Sequence, residues 1–278
     1  MKYYSILAGA LQSIKCSISY SQRVGINAEI DGCLITNLKP VNKNAYGKTG
    51  NISLKGIFKG QNVKLFSMFS EEQVRLRQRV NKLSDEILLP DLIASEGRIV
   101  VEAWVDGTPA EQCSYNNKKD ISNAIREYIT CSYRFKSSIV DGYEGFDYLN
   151  YLEGRVRKWS FITDVASFVD KWKILREEVS HEFVPALSNP DLAYQNFVLN
   201  RQSNSLYCID NEFLHIGTGA YMDFYNSMIR YEQPPFLLTN NLAVFYRNTV
   251  KLRRIGSALI VGKPQQLNKD LLTFEDVE

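Results

Sequence analysis

The chain has 278 residues, 45% of them hydrophobic and 23% charged, with a formal net charge of +2. That length suits two lobes or one large domain with ample core material. So neutral a balance argues against the polybasic face of a nucleic-acid binder. No stretch approaches the ~20 apolar residues of a membrane span, so no integral membrane segment is expected.

The cysteines, Cys16, Cys33, Cys113, Cys131 and Cys208, are odd in number and scattered, with no C-x-x-C pair. That pattern fits reduced thiols and a cytoplasmic location better than a disulfide framework. With only His181 and His215, a histidine-rich metal centre is not expected. The opening run from Met1 to Leu11 holds one lysine, two tyrosines and no clear cleavage site, which makes a poor signal peptide.

In chain order, Asn51 to Phe58 alternates apolar and polar residues as a strand does. Lys59-Gly60 marks a turn, and Asn62 to Ser67 reads as the returning strand. The segment Ser70 to Val80 has a serine cap, early acids and later basic residues, the charge order of a helix. After Ser95-Glu96-Gly97, the β-branched run Arg98 to Glu102 predicts another strand. Beyond Val105 the texture turns helical, with patterns over Ile121 to Phe135 and Ser167 to Val184, the latter stopped by Pro185. Strands with one helix followed by helices predict an α+β fold in two lobes, residues 1–103 and 104–278.

The chemistry concentrates in one stretch. Asp191 and Asn196 stand in D-x-x-x-x-N spacing, followed by the apolar run Phe197 to Leu199, a polar loop, the run Leu206 to Ile209 and then Asp210. If the two runs pair as a hairpin, Asn196 begins one strand and Asp210 ends its partner, so both oxygen-bearing side chains share one end. Asp191, on the loop just before, reaches the same space. Two carboxylates and an amide suit Mg²⁺, a hard ion that shares its oxygen ligands with substrate phosphates. Phosphoryl transfer asks the protein for positioning and charge neutralisation more than for covalent help.

Competing motifs fail on context. Gly47-Lys48-Thr49 lacks the first glycine of a phosphate loop and precedes a strand; Gly217-Thr218-Gly219 lacks its third glycine. No G-x-S-x-G elbow occurs, so serine hydrolysis has no support.

Asp191 with Asn196, then Cys208-Ile209-Asp210-Asn211-Glu212, resembles the catalytic and metal-binding loops of the aminoglycoside phosphotransferase and choline kinase group. The resemblance implies a two-lobed protein-kinase-like α+β fold, with an antiparallel-sheet N-lobe and a mainly helical C-lobe. It implies ATP and Mg²⁺ as cofactors and a small-molecule hydroxyl acceptor. By it, Asp191 orients or deprotonates the acceptor hydroxyl, and Asn196 and Asp210 hold Mg²⁺. Lys64 meets the nucleotide phosphates, with Glu72 or its competitor Glu71 as ion-pair partner. The backbone of a hinge from Glu102 and Trp104 to Gly107 holds adenine. Asp223, in a segment resembling the group's glycine-to-aspartate stretch, braces the catalytic loop. Only twelve residues separate Asp210 from Asp223, too few for a peptide-docking activation loop, which favours a small acceptor such as a sugar or envelope saccharide.

Two departures stand out. Asn189 occupies the place of the group's usual histidine, where it can still hydrogen-bond locally, and residues 44–50 match a glycine-rich loop poorly. They motivate an alternative: a catalytically weak pseudokinase used as a binding or scaffolding module. A third reading is a kinase of a lipid-linked or polysaccharide acceptor. Acceptor contacts are expected from residues 137–160 and 225–248.

Overall fold

The structure, a computed structural model, describes residues 17–21, 25–41, 53–82, 89–113, 115–134, 143–200, 202–203, 205–218, 220–227, 237–260 and 267–277. The expected phosphate-covering loop at 44–50 lies outside the described residues, as do the N-terminal run and Phe135. The chain divides into two compact units, and described residues of the first are those up to Ile121, Tyr143–Gly145 and Tyr194–Leu214.

The first unit is built on an antiparallel sheet of β1 (Ser17–Ser21), β2 (Gly25–Ile30), β3 (Cys33–Pro40), β4 (Ser53–Phe58), β5 (Gln61–Ser67), β6 (Leu92–Glu96) and β7 (Ile99–Ala103). Their spatial order is β1-β2-β3-β4-β5-β7-β6. Lys59 and Gly60 both take positive φ, +48° and +81°, and close the β4–β5 hairpin at the Phe58–Gln61 pair. Two left-handed residues match the twist of the flanking strands, so this turn was legible from Lys59-Gly60. Asp31-Gly32 repeats the device between β2 and β3, where no strand had been predicted. The period-two rule then sorts the faces: Val63, Leu65, Ile99 and Val101 join the buried core with Ile30, Ile35 and Leu54. The intervening Lys64 and Glu102 are cross-strand partners on the opposite face.

Helix α1 (Glu71–Lys82) follows β5. Its start is a capping box. Ser70 Oγ accepts from the Gln73 amide at 3.3 Å, and Gln73 Oε1 accepts from the Ser70 amide at 3.1 Å. A second, three-stranded sheet of the same unit pairs β8 (Gly107–Pro109), β10 (Phe197–Asn200) and β11 (Leu206–Cys208) in the order β11-β10-β8.

Helix α2 (Tyr115–Arg134) begins six residues earlier than its sequence pattern indicated. The second unit is mainly helical, with α3 (Tyr148–Arg157), α4 (Thr163–Val179), α5 (Ala220–Asn226), α6 (Asn240–Ile260) and α7 (Lys269–Leu272). A two-stranded sheet pairs β9 (Ala186–Ser188) with β12 (His215–Gly217), and the segment of Asn189 and Asp191 follows β9 directly. Its core is seen at Trp172, which stacks on Phe245 at 5.7 Å and donates its indole N–H to Thr249 Oγ1 at 2.9 Å. Satisfying the only polar atom of a fully buried tryptophan keeps its burial favourable. The predicted helix to Val184 is corrected here. α4 ends at Val179, a 3-10 turn follows over Ser180–Glu182, and Phe183 turns extended before Pro185 and packs 5.4 Å from Phe245. The proline disfavours helix at the residue before it, and the extended Phe183 packed on Phe245 marks the earlier stop.

Candidate functional site

Within the first unit, a cavity of about 330 Å³ is lined by Lys64, Glu102, Trp104, Asn196 and Asp210, with Val105 beside Trp104. These five had been singled out in the sequence. The β10–β11 hairpin explains the last pair. Phe197 faces Cys208 in register, and the Ile209 amide donates to Asn196 O at 2.9 Å, so Asn196 and Asp210 flank one end of the hairpin.

Lys64 reaches the same end from mid-strand β5. Its ammonium donates to Ile209 O at 2.7 Å and lies 3.6 Å from Asp210 Oδ1. A cation beside a carboxylate, with an amide oxygen close by, is what a metal-bound polyphosphate needs: ligands for the ion and a counter-charge for the phosphates. Trp104 closes another wall, with the Lys55 ammonium 4.1 Å from its ring centroid. The amides of Ala103 and Trp104 are already given to Asp91 O and Asn62 O.

The expected ion pair of Lys64 with Glu72 is not formed. Glu72 instead pairs with Arg75 on its own helix, Glu71 lies 3.9 Å from the same arginine, and Glu72 is absent from the cavity wall. The capping box supplies the reason: it sets the phase of α1 so that Gln73 and Arg77, one turn apart, face inward and both are fully buried. Arg77 Nε donates to Glu102 Oε1 at 2.7 Å, and its guanidinium also reaches Pro90 O. Glu102 therefore spends its side chain bracing the end of β7, and its second oxygen has no partner among the described residues.

Gln73 was missed in the sequence. Its Nε2 donates to Glu212 O at 3.2 Å and Leu214 O at 2.9 Å, so it holds the turn immediately after Asp210. Inside that turn, Asn211 Nδ2 donates to Cys208 O at 3.1 Å and the Leu214 amide to Asn211 O at 3.1 Å. The signal that could have found Gln73 is S-x-x-Q ahead of an apolar stripe.

The second unit holds the catalytic-loop candidates Asn189 and Asp191. Asn189 is fully buried, and its Oδ1 faces the Asp191 amide at 3.4 Å. Asp223, from α5, accepts from Ser188 Oγ at 2.5 Å and from the Asn189 amide at 3.0 Å. It thus braces the loop as expected. Burial pushes the Asp223 carboxyl up to about 7, against the two hydrogen bonds that lower it. Asp191 pairs with Arg253 of α6, a contact 62 residues away that nothing in the sequence announced.

Among the described residues no cluster of three His, Cys, Asp or Glu could hold a metal by itself, and no helix is long and apolar enough to cross a membrane. The donor set of Asn196 and Asp210 fits a hard ion that takes its remaining ligands from a nucleotide and water.

No protein-family model and no curated protein matches the chain. Solved structures do. Over 98% of both chains it is similar to LicA in complex with AMP, at 13% identity and a TM-score of 0.55. It is similar to a thermostable mutant of the aminoglycoside phosphotransferase APH(4)-Ia, at 11% identity and a TM-score of 0.56, over 83% of this chain and 90% of that one. It is also similar to the amicoumacin kinase hAmiN in complex with AMP-PNP, Ca²⁺ and Ami, at 13% identity and a TM-score of 0.55 over 84% of each chain. The fold is the protein-kinase-like α+β fold of the aminoglycoside phosphotransferase.

Proposed function

We propose that the chain is an ATP-dependent phosphotransferase that moves the γ-phosphoryl group to a hydroxyl of a small molecule. The observation that carries this reading is the convergence of Lys64, Asn196 and Asp210 on one cavity beside Trp104. Adenine fits against Trp104, with the peptide edge at Val105 reading the base because the two preceding amides are already committed. Lys64 offsets phosphate charge, and Asn196 and Asp210 are the ligands we assign to Mg²⁺, which when bound neutralises the β- and γ-phosphates. Asp191 takes the acceptor proton as the new O–P bond forms and the bond to the β-phosphate oxygen breaks, releasing ADP. Asn189 shapes the loop from which Asp191 projects. The structures of LicA with AMP and of hAmiN with AMP-PNP and Ca²⁺ support nucleotide use on this fold. A sugar or saccharide acceptor, a cytoplasmic location and a lobe boundary after residue 103 remain parts of the same proposal.

The test is thermal unfolding with and without Mg²⁺-ATP, for the wild type and Asp210→Ala. A ligand at about a hundred times its Kd adds about 2.7 kcal/mol, a shift of a few degrees for a chain of this size. A magnesium-dependent shift that Asp210→Ala abolishes supports the reading, and no shift at millimolar nucleotide sinks it. One observation favours the pseudokinase alternative: the Lys64 ammonium rests on Ile209 O and Asp210 with no helix acid paired to it. Binding without transfer to any member of an acceptor panel is the outcome that alternative predicts.

A further inference from the structure

In the second unit, Asp191 stands beside a cluster in which positive charge is in excess. Arg253 pairs with it while remaining 26% exposed. One turn further along α6, Ser257 Oγ lies 3.5 Å from Arg155 Nη2 of α3. The helices run close there: a Cβ on Gly256 would come within 3.1 Å of Val156 and 3.5 Å of Arg155. Arg155 shares a helix face with Tyr148 and Tyr151, at i, i+3 and i+7. The two tyrosine rings stack at 6.0 Å, and the Arg155 guanidinium lies 5.9 Å from Tyr151.

Arg155 is the odd member. Its Nε is buried without a hydrogen-bond partner, and no carboxylate lies within ion-pair distance of it among the described residues. A buried donor left unmade is costly, and the half-buried guanidinium that carries it has no counter-charge among the described residues. Arg253 spends its charge on Asp191, so the charge left over is that of Arg155. Burial raises the Tyr148 phenol well above its ordinary range, against the pull of Arg253, so its ring brings no anion to this cluster at neutral pH.

We infer that the acceptor carries an anionic group, a phosphate or a carboxylate, which Arg155 holds while Arg253 orients Asp191 toward the hydroxyl. The inference rests on the phosphotransferase reading and names its substrate class. A guanidinium presents parallel N–H donors that match the oxygens of either anion. A polyamine acceptor would meet the uncompensated Arg155 cation, and like charges at close range discriminate strongly against the wrong partner.

The experiment is thermal unfolding of the full chain at constant ionic strength, with and without saturating Mg²⁺-AMP-PNP. Inorganic phosphate, glucose, glucosamine, glucuronate and glucose 6-phosphate are the probes, with chloride as the reference. Expected are stabilisation by phosphate and the anionic hexoses beyond glucose and glucosamine, and an anion response weakened about tenfold or more in Arg155→Met. Arg155→Lys, with the charge but not the fork, falls between. Glucose 6-phosphate alone among the hexoses assigns a phosphate monoester, and glucuronate alone a carboxylate. The inference is overturned if no anion acts beyond chloride, if glucosamine matches the anions, or if Arg155→Met leaves the response intact. A missing Mg²⁺-AMP-PNP shift together with an Arg155-dependent anion response sinks the phosphotransferase reading alone.

Discussion

Replacing Gln73 with methionine tests whether α1 holds the turn that presents Asp210. Methionine matches glutamine in length and makes none of its bonds. Four bonds are lost: acceptance from the Phe69 and Ser70 amides at 2.8 and 3.1 Å, and donation to Glu212 O and Leu214 O at 3.2 and 2.9 Å. Each is worth about 1 kcal/mol net, and the buried carbonyl of Leu214 costs up to about 3 kcal/mol when left unpaired. The sum is about 4–6 kcal/mol, a large share of a typical 5–15 kcal/mol. Urea unfolding reads this loss, and titration of ATP with Mg²⁺ or with EDTA reads the functional part. We expect the magnesium-dependent share of nucleotide affinity to fall and the metal-independent share to stay. A loss below about 1 kcal/mol with wild-type magnesium dependence would refute the assignment. Gln73→Glu adds a sign. A carboxylate there faces two carbonyl oxygens, which raises its folded-state pKa above the unfolded value of about 4.3. Stability is then best at low pH and falls as pH rises through the raised value, whereas the Gln73→Met deficit is flat with pH.

Arg77→Met leaves the Glu102 carboxylate buried without its partner and costs about 3–5 kcal/mol by urea unfolding, and adding Glu102→Leu recovers most of it. Asp223, raised from 3.8 to about 7, binds a proton in the folded state that the unfolded chain has released. Its contribution is therefore full below pH 4 and is lost as pH rises toward 7. Asp223→Asn flattens stability across that window, and an unchanged slope refutes the burial argument. Gly107→Ala drives a Cβ into Leu199 O and forces β8 from β10, lowering stability by about 1–3 kcal/mol. Gly154→Ala, with nothing within 4 Å in α3, raises it by up to about 1 kcal/mol in the same assay.

How much of the site was legible depended on how local its cause was. Asn196 and Asp210 were readable because one short hairpin brings them to the same end, and hairpin pairing follows from a polar loop between two apolar runs. Lys64 was readable from the family resemblance together with its place mid-strand, where alternation puts it opposite the core residues Val63 and Leu65. Glu72 misled because a first-turn acid is favoured by the helix dipole wherever the helix points. The direction of α1 was instead set by the Ser70–Gln73 box and by burial of Gln73 and Arg77.

The sequence by itself determined the β4–β5 hairpin and its turn, the strand at β7, the capped start of α1 and the hairpin that joins Asn196 to Asp210. All of these rest on dihedral preferences and patterns within about twenty residues. Only the tertiary structure decided that Gln73 grips the Asp210 turn, that Arg77 meets Glu102, that Arg253 pairs with Asp191 and that Arg155 meets Ser257. Those contacts join residues from 25 to 141 positions apart. Which polar groups meet over such spans depends on how whole elements pack and on the cost of leaving buried donors unpaired, and neither is written in a local pattern.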